Sequence, residues 1–341
     1  MRVAMYYRND DVRLEEMPTP RIGPGEVLIK AMACGICGTD VLEWYRVKQA
    51  PRVLGHEMAG EIVAVGEGVR LFSIGDRVFA SHHVPCNTCH FCLHGHHTAC
   101  ETLHTTNYEP GGFAEFVRVP PLQVDRGTFP LPADMSYDIG TFIEPVGCVV
   151  RGLRGLEMPP GSSMLVLGSG ISGLLVIALA RAFGAGRIFA TDISPQRLEL
   201  AKEFGACAAI PAEEDVPAAV REANRGSLAD CVIVCTGAPQ AAKQALASVE
   251  RGGTVLFFAV PRQDISVPIS DFWRNDIAIK TTYGAAPQDL AEAIPLLVAG
   301  YVPAERMITH RLCLAETQRG FQMVAKGEES LKVVVRCYSA K

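Results

Sequence analysis

A chain of 341 residues exceeds one ordinary hydrophobic core, so two domains are expected. Its 48% hydrophobic content and 32 glycines describe a globular protein rather than a disordered one. A net charge of −5, with no basic run interleaved with aromatics, argues against nucleic acid or an anionic membrane as the main partner.

The opening Met1-Arg2-Val3-Ala4-Met5-Tyr6-Tyr7-Arg8 lacks the apolar core and cleavage site of a signal peptide. The longest apolar stretch, Ile171 to Ala180, is about half the ~20 residues that span a bilayer. Up to about residue 145, short β-type runs alternate with Gly and Pro turns: Glu26–Ala31, Ala59–Val65, Arg77–Ala80 and Ala114–Val119, with turns at Gly23-Pro24-Gly25 and Gly75-Asp76. That texture predicts an antiparallel, barrel-like domain with long functional loops.

One such loop, 81–105, carries Cys86, Cys89, Cys92 and Cys100. Two-residue gaps let neighbouring thiolates converge on one tetrahedral ion at Zn–S distances of about 2.3 Å. Four thiolates close the coordination shell, so this ion is structural and the chemistry lies elsewhere. Two disulfides would need an oxidising compartment. The eight remaining cysteines show no pairing pattern, and Cys207, Cys231, Cys235, Cys313 and Cys337 sit in apolar surroundings, which points to a reduced, cytoplasmic interior.

After Pro159-Pro160-Gly161 the pattern becomes β-α-β: strand Met164–Leu167, a helix to about Phe183, strand Ile188–Asp192, helix Pro195–Phe204, strand Cys231–Cys235, helix Pro239–Glu250, a Gly252-Gly253 turn and strand Thr254–Val260. Continuous apolar strands separated by helices predict a parallel sheet buried on both faces, ending near Tyr283. Helix Gln288–Val298 and strand Lys332–Cys337 are too few to form a third domain and are expected to fold back onto the first.

Gly168-Ser169-Gly170-Ile171-Ser172-Gly173 matches G-x-G-x-x-G, follows a strand and opens a helix. Asp192 ends the next strand 19 residues after Gly173, completing a dinucleotide fingerprint. Gly168 makes the tight turn, Gly170 admits the pyrophosphate and Gly173 allows close helix–strand packing; the helix N-terminus offers N–H groups to phosphate. Asp192 is expected to accept bonds from the adenine-ribose hydroxyls and to repel a 2′-phosphate, favouring NAD. Arg197 works the other way, because a nearby arginine can hold that phosphate. Ile171, Thr236 and Val260 complete the cofactor set.

Cys34-Gly35-Ile36-Cys37-Gly38-Thr39-Asp40, Gly55-His56-Glu57, Gly75-Asp76-Arg77-Val78, the four-Cys lobe, Gly111-Gly112-Phe113-Ala114-Glu115 and Glu144-Pro145 occur together. On these motifs the whole chain resembles the zinc-dependent medium-chain alcohol dehydrogenases of the polyol (sorbitol) and threonine dehydrogenase branch. The resemblance implies a GroES-like catalytic domain over 1–146, a Rossmann NAD-binding domain over 147–284, and a segment 285–341 that completes the catalytic domain. It also implies a catalytic zinc on Cys37 and His56, with Glu144 at the place of the third protein ligand and Glu57 beside the ion. Which of Glu57 and Glu144 ligates is left open.

The implied reaction is reversible, NAD-linked oxidation of a secondary, cyclic or polyol alcohol, with hydride passing to nicotinamide C4. Thr39 is placed to take the hydroxyl proton. Relatives often carry a relay histidine three residues after that hydroxyl, where this chain has Leu42. A 3-hydroxy amino acid such as threonine is the alternative substrate, its carboxylate met by Arg46 or Arg151. A non-catalytic zinc- or nucleotide-binding relative is the reading from outside enzymology. Trp44, Tyr45, Leu103, Phe272 and Trp273 are candidate pocket walls, and strands within Thr254–Tyr283 suggest a homodimer or homotetramer.

Overall fold

A computed structural model describes residues 1–327 and 330–338. The chain divides into two compact units. The first comprises Met1–Gly147, Ala285–Ala299 and Pro303–Lys341; the second comprises Cys148–Gly284 and Gly300–Val302.

The first unit is built on Val27–Ile36, a strand whose pattern of buried residues rises to continuous burial at its end. It pairs antiparallel with Glu57–Val65, Lys332–Arg336 and Phe116–Val119. Arg77–Ser81 and Thr128–Pro130 extend one side, and Ile308–Cys313 runs parallel to Lys332–Arg336 on the other. A second, three-stranded sheet joins Asp11–Glu16, Arg2–Arg8 and Arg52–Val53. Tyr6, Val27, Ile29, Phe113, Val117 and Phe321 lie in the shared core. The antiparallel β-rich unit is the GroES-like architecture expected of the first domain. The sequence pattern missed Ile308–Cys313 and the helix Thr317–Lys326, whose apolar residues are spaced among charges.

The second unit holds six parallel strands in the order Ala208–Pro211, Ala185–Asp192, Ser162–Leu167, Ala229–Val234, Val249–Phe257, Ala278–Thr281. In chain order this is 3-2-1-4-5-6, the doubly wound Rossmann arrangement. Leu165, Leu167, Val232, Val234, Val255 and Phe257 fill its core. The order reverses between the first and fourth strands, and ligands of such sheets bind beyond the C-terminal ends there.

One element differs in kind from its expectation. The helix Pro239–Ser248 stops earlier than the sequence suggests, and Gly252-Gly253 lies inside the strand Val249–Phe257. The ladder to Ala229–Val234 skips from Val249 to Thr254 at that point, so the glycines form an irregularity in the strand rather than a turn before it.

Candidate active site and metal centres

The metal lobe comes first because its ligands are local. Cys86, Cys89, Cys92 and Cys100 place their sulfurs within 4.8 Å of one another. Sγ of Cys89 is 3.5 Å from that of Cys92, and Sγ of Cys100 is 3.6 Å from that of Cys86. A disulfide would hold them at about 2.05 Å. A tetrahedron with 2.3 Å Zn–S bonds has edges of about 3.8 Å, so the set fits zinc. The N–H groups of Thr88 and Cys89 donate to Cys86 Sγ, and Cys86 N–H donates to Cys100 Sγ. The Thr88 side chain and these N–H groups lower the Cys86 thiol to about 5, whereas burial pushes Cys92 up to about 12. The backbone N–H groups around Cys86 and Cys100 thus favour the thiolate form that a metal needs.

The second cluster is assembled from two strand ends. Cys37 follows Val27–Ile36 directly, and His56 precedes Glu57–Val65 across the ladder. Gly55 makes that entry possible: it has φ +95°, and a Cβ there would stand 2.9 Å from Cys34 Sγ. Cys37, His56 and Glu57 bring one ligand atom each within 4.8 Å of one another. Asp40 is 1% exposed; Oδ2 accepts the Cys37 N–H at 3.1 Å, and Oδ1 stands 3.3 Å from His56 Nδ1. Oδ1 is buried without a formed hydrogen bond, and its closest donor is the nitrogen that ligation through Nε2 would fix as N–H. Burial opposes protonation of His56, but Asp40 and Cys37 outweigh it and raise its pKa well above the usual histidine range. A dication on this side would meet the same negative field. A thiolate, an imidazole and carboxylates suit zinc.

Glu57 and Glu144 part company here. Glu144 is buried in the first turn of helix Ile143–Gly155 and contributes to the field at Lys332 and Tyr108, but it is not in the three-residue cluster. Glu57 is in the cluster and also ion-paired to Lys332, each side chain 1% exposed. Removing one partner of such a pair strands the other charge, at a cost of about 3–5 kcal/mol.

In the second unit the dinucleotide turn has the expected geometry. Gly168 has φ +92°, and a Cβ at Gly173 would overlap the Gly168 carbonyl oxygen. Gly170 caps the helix Ile171–Ala180 with no side-chain bond, leaving its first N–H groups for a ligand. Asp192, 6% exposed, accepts Ser169 N–H at 2.8 Å and Ser194 N–H at 2.9 Å, one on each oxygen. Each oxygen keeps a lone pair for a ribose hydroxyl. Thr236 faces Gly168 where the strand order reverses, with its Cβ 3.0 Å from where a Gly168 Cβ would be. Arg197 Nη1 lies 3.9 Å from the corresponding point at Gly170, over the phosphate turn. Val260 lies beyond its strand end and is 61% exposed.

Comparison with known proteins matches residues 172–299 to the family described as zinc-binding dehydrogenase and residues 23–132 to the alcohol dehydrogenase GroES-like domain. Sorbitol dehydrogenase of Bacillus subtilis strain 168 is 34% identical over 98% of this chain and 97% of its own length. L-threonine 3-dehydrogenase of Bacillus velezensis is 34% identical over 92% of each. The chain belongs to the zinc-binding alcohol dehydrogenase family. A solved zinc-binding dehydrogenase from Sinorhizobium meliloti 1021, bound to NADP, superposes with a TM-score of 0.87 at 27% identity over 98% of each chain.

Two of the residues proposed as pocket walls in this dehydrogenase are packed into hydrophobic clusters. Leu103 is packed inside the metal lobe against Cys92 and Cys100. Phe272 is in the core of the second unit, and Trp273, on the helix Ile269–Arg274, is 83% exposed. Both side chains read as apolar from sequence, and only packing separates core from surface. Trp44 and Tyr45 are exposed in the helix Glu43–Arg46, close in sequence to Thr39.

Sequence reasoning gave no role to three groups that shape the dehydrogenase site. Asp40 was visible only as the last residue of its motif. His82 packs against His56 with ring centroids 5.0 Å apart, and burial holds His82 well below its usual pKa and His83 down at about 4, so both are neutral. Lys332 is 275 residues from Glu57, and nothing local marks it.

Proposed function

We propose that this dehydrogenase oxidises a secondary or polyol alcohol to the ketone, reversibly, with Cys37, His56, Glu57 and Glu144 around the reactive metal. The observation that carries the reading is the coexistence of two donor sets: a closed four-thiolate lobe and a mixed Cys/His/carboxylate cluster. When bound, zinc at the mixed cluster supplies Lewis-acid polarisation of the alcohol oxygen, and the nicotinamide supplies the hydride acceptor.

The chain's own residues do the rest. Asp40 fixes the His56 ring, and the Cys37 thiolate accepts the Thr39 hydroxyl at 3.3 Å. Thr39 is exposed at the site; its Oγ1 accepts the substrate hydroxyl proton as the hydroxyl releases its own proton to solvent on that exposed side. Arg46 donates from Nε to the Thr39 carbonyl at 3.0 Å and from Nη2 to Oγ1 at 3.4 Å, so it orients the hydroxyl that Leu42 cannot. The same guanidinium favours a second reading, a 3-hydroxy amino acid, because it offers a cation to a substrate carboxylate. An NADH-formation screen over secondary alcohols, cyclic alcohols, polyols and threonine with zinc-loaded protein separates the two. Turnover of none of these classes would refute both.

NAD is the proposed cofactor. Asp192→Ala is expected to lower kcat/KM for NAD about 10²-fold or more, the worth of two hydrogen bonds to a charged acceptor, and to raise NADP use relative to NAD. Equal or better use of NADP by the unaltered protein would mean that Arg197 outweighs Asp192.

A cytoplasmic homo-oligomer is proposed as well. Ala278–Thr281 ends the parallel sheet with three of its four residues exposed, and Ile269, Trp273, Ile279 and Tyr283 leave apolar surface nearby in sequence. An exposed edge of this kind is satisfied by the same edge of a second copy across a two-fold axis. Light scattering at micromolar concentration is expected to give at least twice 36.7 kDa; the monomer mass would refute the proposal. Among the described residues no helix is long and apolar enough to cross a membrane.

A further inference from the structure

The chain between Cys37 and His56 leaves the metal cluster at one residue of the set and returns to it at another. It holds the helix Glu43–Arg46, a single helical turn Val47–Gln49 and the short strand Arg52–Val53. Two half-buried arginines lie on this excursion. Arg46 folds back on Thr39 and stands 3.6 Å from Asp40 Oδ1. Arg52, close before His56 in sequence, donates from Nη1 to Gln49 Oε1. Among the described residues Arg52 has no carboxylate partner, and Arg46 shares its one, Asp40, with His56. Both guanidiniums act on the side of the cluster where the His82 ring packs between His56 and His83. Burial, before any charge, keeps His82 and His83 neutral, and both guanidiniums add to that effect. Burial first, and then the Arg46 charge, hold Arg52 itself below the usual arginine range. A half-buried cation with no ionised partner is costly, and an anionic ligand removes that cost. Nδ1 of His82 is also buried without a hydrogen-bond partner among the described residues.

We propose that Arg52, with the remaining donors of Arg46, forms a subsite for a phosphate monoester on the substrate, so that the alcohol oxidised is a polyol phosphate. The inference rests on the proposed alcohol oxidation above and narrows its substrate class. Arg46 spends two of its N–H donors on Thr39, and Arg52 spends one on Gln49. What is left of the two planar forks suits phosphate oxygens. Charge decides between phosphate and carboxylate. Two cations that hold only a share in one carboxylate match a dianion, and a phosphate monoester carries close to two negative charges at neutral pH. A carboxylate needs one guanidinium and leaves Arg52 unmatched. The subsite lies beside the reaction, because Arg46 bonds to the same Thr39 hydroxyl that meets the substrate alcohol. The phosphate takes no part in the redox step: hydride and proton leave the carbinol as for any secondary alcohol.

The test compares NADH formation by zinc-loaded, full-length protein on sorbitol, galactitol and ribitol with that on sorbitol 6-phosphate, galactitol 1-phosphate and ribitol 5-phosphate, with threonine as the carboxylate arm. The unaltered protein is expected to favour at least one ester over its own polyol by about 100-fold or more in kcat/KM, the combined worth of two charge-assisted contacts, expressed mainly in KM. Arg52 carries the mutational test because it bonds Gln49 and not Thr39, which leaves the proton path in place. Arg52→Gln is expected to lower kcat/KM for that ester about 10–100-fold with the free polyol unchanged, and Arg52→Lys to keep part of the preference. No preference for any ester, an equal loss on ester and polyol in Arg52→Gln, or threonine turned over better than every ester overturns the proposal. Should Arg52→Gln fail to fold, Arg52→Lys decides through inorganic phosphate as an inhibitor against the best alcohol: inhibition is expected to be competitive and to weaken several-fold in the variant, and unchanged inhibition overturns the proposal. Turnover of no polyol, ester or threonine would overturn the proposed alcohol oxidation and this inference together; turnover of free polyols without an Arg52-dependent preference for phosphate overturns this inference alone.

Discussion

Cys37→Ser is expected to remove one of two zinc ions per chain and all measurable turnover while leaving the fold in place, whereas Cys92→Ser is expected to unfold the lobe. The asymmetry follows from what surrounds each set. Cys37 stands at the end of a strand fixed by three antiparallel partners, and its neighbours Cys34 and Ile36 are buried in the main core. That packing does not need the ion. The lobe has no comparable support: its apolar cluster is Leu103 with the four ligand cysteines. A lobe with so small a core is held by its metal, and structural zinc in small modules contributes about 10–16 kcal/mol of apparent binding free energy. Loss of even a few of these lowers Tm by roughly 10 °C. Metal analysis by atomic absorption, circular dichroism and an NADH assay on both variants check the pair of outcomes. A folded, metal-replete parent containing a single zinc would refute the two-ion arrangement, and a Cys37→Ser variant that kept its turnover would remove Cys37 from the reactive centre.

The same contrast explains how much could be read from the sequence. The lobe's four ligands fall within 15 residues and the phosphate turn within six, so spacing alone carries their geometry. Asp192 was legible because the acid at the end of the second strand is fixed by the topology of the sheet, and its two backbone N–H donors come from the turn and helix that the pattern already predicted. Glu57 and Glu144 were legible as a pair of acids and not by their surroundings: the fold brings Glu57 beside Cys37 and His56 and pairs it with the buried Lys332. A lysine that begins a short apolar strand reads as a solvated end. It is buried because Gly35 opens a gap, and that glycine looks like any other in a strand. Leu103 and Phe272 were misplaced for a related reason: apolar side chains report that they are buried and not which surface buries them. Gly252-Gly253 read as a turn because a glycine pair usually is one, and the parallel ladder on either side overrode that preference.

Thr39→Val is expected to lower turnover ~10²-fold or more, the range for a lost acid–base step, and Thr39→Ser to keep much of the rate. Valine matches the shape of threonine and removes the one hydroxyl that lies beside the Cys37 sulfur. The chain has no histidine at Leu42 to share the task, and the histidines near the site are otherwise engaged: His56 is in the metal cluster, and His82 and His83 are held neutral by burial. Arg46 donates to Oγ1 but carries no proton it can exchange near neutral pH, so it orients the hydroxyl and cannot replace it. The proton path therefore narrows to Oγ1 and whatever solvent reaches its exposed side. Steady-state kinetics with the best alcohol found in the substrate screen decide the matter, together with metal content and circular dichroism to show that the centre is intact. If Thr39→Val turned over as fast as the parent with its metal in place, the proton would have to leave directly to solvent. The role assigned to Thr39 would then be abandoned, while the metal cluster around Cys37 and His56 would stand unaltered.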